Sequence, residues 1–255
     1  MRILISNDDG YHAPGLAVLE KIAAELSDDV WIVAPSEEQS GTGRALTLTR
    51  PLRVRTFAQR RFAVSGTPTD AVMIALAELM DGPPDLILSG VNRGGNLAED
   101  VMYSGTVSAA MEGALAGIRS IALSQRYGAL EPGDDVSFAV AEAWGVRVIR
   151  PLLDMNWAPR TIVNINFPAG ESGEVRGIKA VRQGLRDYGR VRFETRKDPR
   201  GFDYHWLALG SIATPPTGET DLTQVADGWI TVTPLHLDLT HEASLASLTR
   251  AFDEA

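Results

Sequence analysis

The chain has 255 residues, a formal net charge of −9 and no cysteine, and it is 44% hydrophobic and 22% charged, as ordinary globular proteins are. The acidic balance argues against a nucleic-acid surface and against attachment to an anionic membrane, and no stretch of the sequence is long and apolar enough to span a bilayer. The lack of cysteine excludes disulfides and thiolate metal sites, so we expect a cytoplasmic protein.

Strands and helices alternate through the first two thirds of the chain. Apolar runs predict strands at residues 2–5, 30–34, 85–88, 120–123 and 161–166. Apolar or small residues at helical spacing predict helices at 16–26, 68–80, 106–117 and 136–149, and shorter extended pieces are predicted at 44–53 and 61–64. This alternation predicts a Rossmann-like α/β core over residues 1–168, with a parallel sheet and helices on both faces.

The pattern changes after Pro168. Extended segments at 175–181, 191–195 and 204–209 are joined by charged and glycine-containing turns, and we expect them to be antiparallel strands. A last strand is predicted at 230–232 and a short helix at 245–252. The sequence therefore predicts a β-rich arm over residues 169–255, which returns to the core near Trp229.

Two adjacent carboxylates, Asp8 and Asp9, stand directly after the first predicted strand. In open α/β sheets, ligands bind outside the carboxyl ends of the strands, and clustered carboxylates suit a hard divalent cation such as Mg²⁺ or Mn²⁺. The simpler alternative is a solvated turn that caps the next helix. The loops after the other strands decide between these alternatives.

Two of those loops combine polar side chains with glycine. In the first, Ser40 offers a hydroxyl ligand, and Gly41 lets backbone N–H groups approach an anion. In the second, Asn92 offers an amide oxygen to a metal ion, and Asn96 offers an amide N–H to a phosphate. The alternatives are a flexible loop and an ordinary Asn-Gly turn.

A third polar segment, formed by Ser104, Gly105 and Thr106, begins a predicted helix. Free N–H groups and the helix dipole make such a position an anion site, although N-capping would explain Ser104 by itself. All four segments fall at one edge of the predicted sheet. A divalent cation beside a phosphate cradle explains them together, because it would polarise a phosphoryl group and lower the pKa of a water. The chemistry predicted is hydrolytic phosphoryl transfer.

The chain resembles the SurE family of stationary-phase survival proteins, which are metal-dependent 5′-nucleotidases. The resemblance is carried by residues 1–10, 33–41, 66–70, 89–96 and 103–107, and near the C-terminus by 233–236 and 238–240. One departure is visible at Gly95, which stands where the family usually has proline.

The resemblance implies a set of site residues and an assembly. One divalent cation per subunit, Mg²⁺ or Mn²⁺, is held by Asp8, Asp9, Ser40 and Asn92. The substrate phosphate is held by Asn96, Ser104, Gly105 and Thr106, and Gly41 is predicted beside them. The family forms homodimers or larger assemblies that exchange C-terminal elements, so a homodimer or a tetramer is implied.

We therefore predict a metal-dependent phosphomonoesterase that hydrolyses nucleoside 5′-monophosphates to nucleoside and phosphate, with Asp8 and Asp9 as its catalytic residues. A nucleotide-binding module without catalysis is an open alternative. The sequence assigns no role to His236 or to the arginine-rich stretch 182–196.

Two other phosphate-handling folds fit less well. A signalling receiver domain would need a phosphoacceptor aspartate after its third strand and a lysine after its fifth. Here Ser124, Gln125 and Arg126 follow the strand predicted at 120–123. A haloacid-dehalogenase-type phosphatase would need two aspartates separated by one residue, whereas the two aspartates of this chain are adjacent.

Overall fold

The computed structural model describes residues 1–128, 135–186, 191–209 and 217–253. Within these residues the strands are β1 (Arg2–Ser6), β2 (Asp29–Pro35), β3 (Val54–Ala58), β4 (Arg61–Val64), β5 (Leu86–Arg93), β6 (Arg119–Gln125), β7 (Thr161–Phe167), β8 (Gly177–Ala180), β9 (Val191–Lys197), β10 (Asp203–Leu209) and β11 (Trp229–His236). The α-helices are α1 (Pro14–Ala24), α2 (Pro68–Ile74), α3 (Gly105–Leu115), α4 (Ala139–Leu153), α5 (Asp221–Ala226) and α6 (Glu242–Asp253). A π-helical turn, Ala75–Leu79, follows α2, and 3₁₀ turns lie at Ala98–Met102 and Ser172–Glu174.

Nine of the described strands form one sheet, in the order β3-β4-β2-β1-β5-β6-β7-β11-β8. The six strands from β4 to β7 are parallel to one another, whereas β3 runs antiparallel to β4, and β11 runs antiparallel to β7. From β1 the chain first extends the sheet toward β2 and β4, and then crosses back to place β5 on the other side of β1. The carboxyl ends of β1 and β5 therefore flank the topological switch point, where open α/β sheets bind their ligands.

Helices cover both faces of this sheet. In β1, Ile3 and Ile5 are buried in a cluster with Leu19 of α1, whereas Leu4 lies in a second cluster with Ala71 of α2. Successive strand residues point to opposite faces, so a strand that is buried on both faces consists of a continuous apolar run. The predicted α/β class, with a parallel core and helices on both faces, is confirmed.

The extended piece predicted at 44–53 does not form a strand. Thr47 donates its backbone N–H to Asp70 Oδ1 at 3.1 Å, and the Thr67 hydroxyl donates to the backbone oxygen of Ala45 at 2.8 Å. These backbone groups bind the capping box that starts α2, so they are not available to a neighbouring strand. The edge of the sheet is formed instead by β3, which follows this segment.

The C-terminal part of the chain contributes to two sheets. As predicted, β9 and β10 pair with each other as an antiparallel hairpin. The expectation of an antiparallel strand at 175–181 is wrong, because β8 lies parallel to β11 at the edge of the large sheet. Parallel neighbours need a crossover connection, and α5, which the sequence analysis does not predict, forms the last part of it.

The division of the chain at residue 168 into an α/β core and a β-rich arm stays a prediction. No described helix is long and apolar enough to cross a membrane.

Candidate active site

The predicted carboxylates and Asn92 meet at the switch point of the sheet. Asp8 and Asp9 follow β1, and Asn92 lies at the end of the neighbouring strand β5. Pairing between β5 and β6 is interrupted after Ser89 and resumes at Asn92, which pairs with Ser124. Such irregularities redirect side chains beside functional sites. The fold therefore brings two carboxylates and an amide to the carboxyl ends of neighbouring strands.

Asp8 lies against the first turn of α3. Its side chain is only 4% exposed, and the Thr106 hydroxyl donates a hydrogen bond to Oδ1. A Cβ atom added to Gly105 would lie 2.7 Å from the Cβ and 3.0 Å from Oδ2 of Asp8. Only glycine allows this approach. A carboxylate that could bind a cation therefore lies against a helix N-terminus that could bind an anion.

Burial raises the pKa of Asp8 to about 6; the hydrogen bond from Thr106 opposes this shift, and the charge of Asp9 adds to it. Burial also raises the pKa of Asp9, against the N–H of Arg93, which donates to Asp9 Oδ2 at 3.0 Å. The charge of Glu38 raises it further. Both shifts indicate negative charge that the surrounding protein does not fully compensate, and a divalent cation would compensate it.

The loop with Ser40 and Gly41 is bonded to the same place. The N–H of Gln39 donates to the backbone oxygen of Asp8 at 2.7 Å, and Gly43 donates to the backbone oxygen of Tyr103 at 3.1 Å. Ser40 is exposed and its hydroxyl donates to Glu38 Oε1 at 2.9 Å. Gly41 has a φ of 76°, and an added Cβ would meet nothing within 4 Å, so the space beside its backbone is open.

The donor set fits a hard divalent cation. Nδ2 of Asn92 donates to the backbone oxygen of Gly94 at 2.9 Å, and within the described residues no hydrogen bond occupies Oδ1. Asp8, Asp9, Ser40 and Asn92 offer oxygen donors only, and such donors suit Mg²⁺ or Mn²⁺. In the described parts of the chain no group of three or more acidic, histidine or cysteine side chains gathers as a metal site. A cation here would therefore also need the neutral oxygens.

Asn96 sits below this edge, inside a buried polar network. Its Nδ2 donates to Ser124 Oγ at 2.8 Å, and its backbone N–H donates to Asn166 Oδ1 at 2.8 Å. Its backbone oxygen accepts from the side chains of Asn164 and Asn166. Asn96 therefore ties its loop to β6 and β7, and its predicted contact with phosphate stays a prediction.

At Gly95 the structure shows what occupies the place of a side chain. An added Cβ would lie 2.9 Å from Cγ of Arg126 and 3.3 Å from Oδ1 of Asn166. The stem of Arg126 therefore packs where this chain has glycine and the SurE family usually has proline.

Ser104 is the N-cap of α3, because its Oγ accepts the N–H of Val107 at 3.1 Å. The capping alternative is thus present in the structure, while the predicted phosphate contacts of Ser104, Gly105 and Thr106 remain predictions. What the structure adds is the contact of this turn with Asp8.

A cleft that the sequence analysis did not predict opens beside Asp9. It has a volume of about 450 Å³, and Arg93, Glu38 and Asp135 line it together with the apolar side chains of Ala13, Pro14, Val136 and Phe138. The lining comes from four separate segments, so no local sequence signal could have identified it.

The structure also shows where His236 and part of the arginine-rich stretch lie. His236 pairs with Thr161 at the start of β7, whereas Asp8 follows the end of β1, so the two residues lie at opposite ends of the strands. In the arginine-rich stretch, Arg186 is bound to acidic residues, Arg196 pairs with Glu194 on the hairpin, and Arg190 lies outside the described residues.

Comparison with known proteins identifies the relatives of this chain. The family model described as "Survival protein SurE" matches residues 3–190. A protein of Rhizorhabdus wittichii named 5′-nucleotidase SurE is 64% identical over 253 residues, which are 99% of this chain and 100% of that protein. Proteins with the same name from Hyphomonas neptunium and Erythrobacter litoralis are 51% and 52% identical, and each alignment covers 99% of this chain and at least 99% of the relative.

A solved structure shows the same fold. The crystal structure of the SurE protein from Aquifex aeolicus superposes with a TM-score of 0.84 at 38% identity, and the match covers 98% of this chain and 99% of that one. Sequence and structure agree over nearly the full length, and the chain belongs to the SurE family.

Proposed function

We propose that this chain is a metal-dependent 5′-nucleotidase, a phosphomonoesterase that hydrolyses nucleoside 5′-monophosphates to nucleoside and phosphate. The observation that carries the proposal is the contact between Asp8 and the first turn of α3. A carboxylate suited to a cation and a helix start suited to an oxyanion lie against each other. The names of the full-length relatives point to the same reaction.

One divalent cation, Mg²⁺ or Mn²⁺, would be held by Asp8, Asp9, Ser40 and Asn92. When bound, such an ion supplies Lewis-acid polarisation of the phosphoryl group and activation of water. The Thr106 hydroxyl and the Arg93 N–H each hold one of the carboxylates in place. Asp8 or Asp9 would serve as the base that accepts a proton from water.

The substrate phosphate would lie at the start of α3, where Gly105 leaves the backbone bare of a side chain. Helix α3 has 11 residues, and the N–H groups of its first turn have no partner within the helix. Ser104 and Gly41 would add an O–H and an N–H donor from the two sides. Preorganised donors of this kind stabilise the charge that develops on a transferred phosphoryl group.

The nucleoside would lie in the cleft beside Asp9. Phe138 and Val136 offer an apolar wall to a base, and Glu38 and Asp135 are acceptors for sugar hydroxyls. The volume of about 450 Å³ lies in the range of small-molecule sites. The structure also disfavours the signalling-receiver alternative. A receiver domain needs a lysine after its fifth strand, whereas here Ser124 and Gln125 at the end of β6 are buried and bonded to Asn96 and Pro168.

Hydrolysis of a panel of nucleoside monophosphates tests the proposal. After chelation the activity should vanish, and it should return with Mn²⁺ or Mg²⁺. Asp9→Asn should abolish turnover while the protein stays folded, and Glu37→Gln, a neighbouring exposed carboxylate, should behave like the wild type. Full activity in chelator would refute metal dependence, and a folded protein that binds nucleotide without turnover would establish the non-catalytic alternative.

We further propose a cytoplasmic homodimer or tetramer, in which the C-terminal hairpin and α6 contribute to the contacts. Phe193, Trp206 and Leu207 of the hairpin are at least 60% exposed, and no residue of α6 is buried. Isolated hairpins are marginally stable, and exposed apolar side chains of this size favour association. Multi-angle light scattering at micromolar concentration should show a dimer or tetramer, and a monomer would contradict the proposal.

A further inference from the structure

The loop between Asn96 and α3 contains a residue in an unfavourable conformation. Ala98 has a φ of 53°, in the left-handed region that non-glycine residues rarely adopt, and its side chain is fully buried. Such a residue persists only where its surroundings hold it strongly, and such residues cluster at functional sites. The groups that bond to Ala98 therefore indicate which contacts fix the conformation of this loop.

Both backbone polar groups of Ala98 are bonded to the C-terminal part of the chain. Its N–H donates to Oδ2 of Asp221 at 2.8 Å, and its oxygen accepts from Nε2 of Gln183 at 2.8 Å. Asp221 is fully buried, and its Oδ1 accepts the N–H groups of Gly184 and Leu222 at 2.7 and 2.8 Å. One carboxylate thus joins three segments through backbone bonds.

Arg186 reinforces the same junction. Its guanidinium donates to the backbone oxygen of Leu97 at 3.0 Å and pairs with Asp100 at 2.8 Å. Asp100 in turn accepts, through its backbone oxygen, the N–H groups of Tyr103 and Ser104 at 3.0 Å. A chain of described contacts therefore runs from the C-terminal part to the cap of α3.

We infer that Asp221 is a positioning residue for phosphate binding, through its hold on Ala98. The inference rests on the proposed function, in which Asn96 and the first turn of α3 contact the phosphate. Ala98 lies between these two groups in the chain, so its conformation sets how they are placed relative to each other. The metal donors lie on other segments, after β1, in the loop of Ser40 and at the end of β5. Two of these segments reach the start of α3 through the Thr106–Asp8 and Gly43–Tyr103 hydrogen bonds, so the junction acts on the metal donors less directly than on the phosphate groups.

The inference predicts that phosphate binding and metal binding separate. In Asp221→Asn, an amide N–H₂ replaces one carboxylate oxygen and opposes a backbone N–H, so Ala98 loses its hold. Titration of inorganic phosphate into the Mn²⁺-loaded protein should give a Kd raised about tenfold or more, since a hydrogen bond to a charged group is lost. The KM for a nucleoside monophosphate should rise in parallel, and the Kd for Mn²⁺ should rise by a clearly smaller factor than the Kd for phosphate, because the metal donors lie on other segments.

Two further variants distinguish positioning from general stability. Ile149→Ala removes a buried side chain of α4, remote from the loop, and its phosphate Kd should match the wild type despite lower stability. Ala98→Gly in the Asp221→Asn background should restore most of the phosphate affinity, because glycine adopts a positive φ without strain. If Asp221→Asn does not fold, Gln183→Ala, at an exposed position, should raise the phosphate Kd by a smaller factor, about threefold.

The outcomes are distinguishable. A wild-type protein that binds phosphate in the presence of Mn²⁺, together with an Asp221→Asn variant of unchanged phosphate Kd, would overturn the inference and leave the proposed function intact. An equal loss in Ile149→Ala, or no recovery with Ala98→Gly, would also overturn it. A wild-type protein without phosphate binding in Mn²⁺ would overturn the proposed function and the inference together.

Discussion

Asp8 at the carboxyl ends of the strands and Asp221 in the C-terminal junction are both buried carboxylates, but their charges are compensated to different extents. Asp221 accepts three backbone N–H groups within 2.8 Å. Asp8 is almost as deeply buried, yet it accepts the Thr106 hydroxyl, lies beside a second carboxylate and has a pKa raised to about 6. Satisfied carboxylates strengthen a fold, whereas a carboxylate left without full compensation lowers stability and is typical of a functional site.

The largest effect that would sharpen this comparison is expected from Asp8→Asn. Activity should fall by at least about 10³-fold, because one charged donor to the cation is lost. The metal-free variant should nevertheless be more stable than the wild type at pH 7, by up to about 3 kcal/mol, since the raised pKa of Asp8 is a cost of ionisation in the folded state. Denaturant unfolding in chelator measures this difference.

Asp221→Asn should have the opposite sign in the same experiment. Loss of an acceptor for a buried N–H should lower the free energy of unfolding by about 2 kcal/mol. If both asparagine variants changed stability in the same direction, the distinction between the two carboxylates would fail.

The pH dependence of the metal-free protein is the next effect in size. The ordinary pKa of Asp8 is 3.8 and its folded value is about 6, so folding favours the protonated form. Its contribution to stability is therefore fully present below about pH 4 and is lost as the pH rises through about 6. The stability of wild type relative to Asp8→Asn should fall over this interval and stay constant above it. If the difference in unfolding free energy between wild type and Asp8→Asn does not change between pH 4 and 8, the raised pKa of Asp8 would be contradicted.

A smaller effect is expected from Thr106→Val, which removes the hydroxyl that donates to Asp8. The pKa of Asp8 should rise further, and the Kd for Mn²⁺ at pH 6 should increase roughly tenfold, with a smaller change at pH 8. Thr69→Val is the matched control, because the Thr69 hydroxyl is buried and has no partner in the described residues. An equal change of Mn²⁺ affinity in both variants would show that the Thr106 hydroxyl has no specific role.

Gly105→Val, by contrast, cannot separate phosphate binding from metal binding. The sequence alone suggests that the added bulk would obstruct only backbone N–H groups near the phosphate. In the structure the new Cβ would meet Asp8 itself. We therefore expect this variant to lose metal affinity as well.

The sheet edge was predictable from sequence because each of its parts is local. Asp8 and Asp9 follow an apolar run, and Asn92 and Ser104 stand in loops rich in glycine and polar residues, so strand order and the switch-point rule place them together. The helical covering of both faces followed in the same way from the alternation of apolar runs.

The C-terminal junction was not predictable, because its contacts join distant segments. Helix α5 has six residues, too few for a helical period to be recognised, and without it the parallel pairing of β8 with β11 has no visible crossover. Asp221 is an acidic residue at a helix start in sequence, and only the fold shows that it binds Ala98, 123 positions away. The cleft beside Asp9 was not predictable for the same reason, because separate segments of the chain line it.

Titration of Mn²⁺ into the chelator-treated protein at pH 7.5 tests the central claim most directly. The account predicts one ion per subunit in the wild type and in Glu37→Gln, and no saturable binding in Asp8→Asn or Asp9→Asn, with all four proteins folded. Unchanged binding of Mn²⁺ in the two aspartate variants would show that the carboxylates after β1 do not form the metal site, and it would contradict the account.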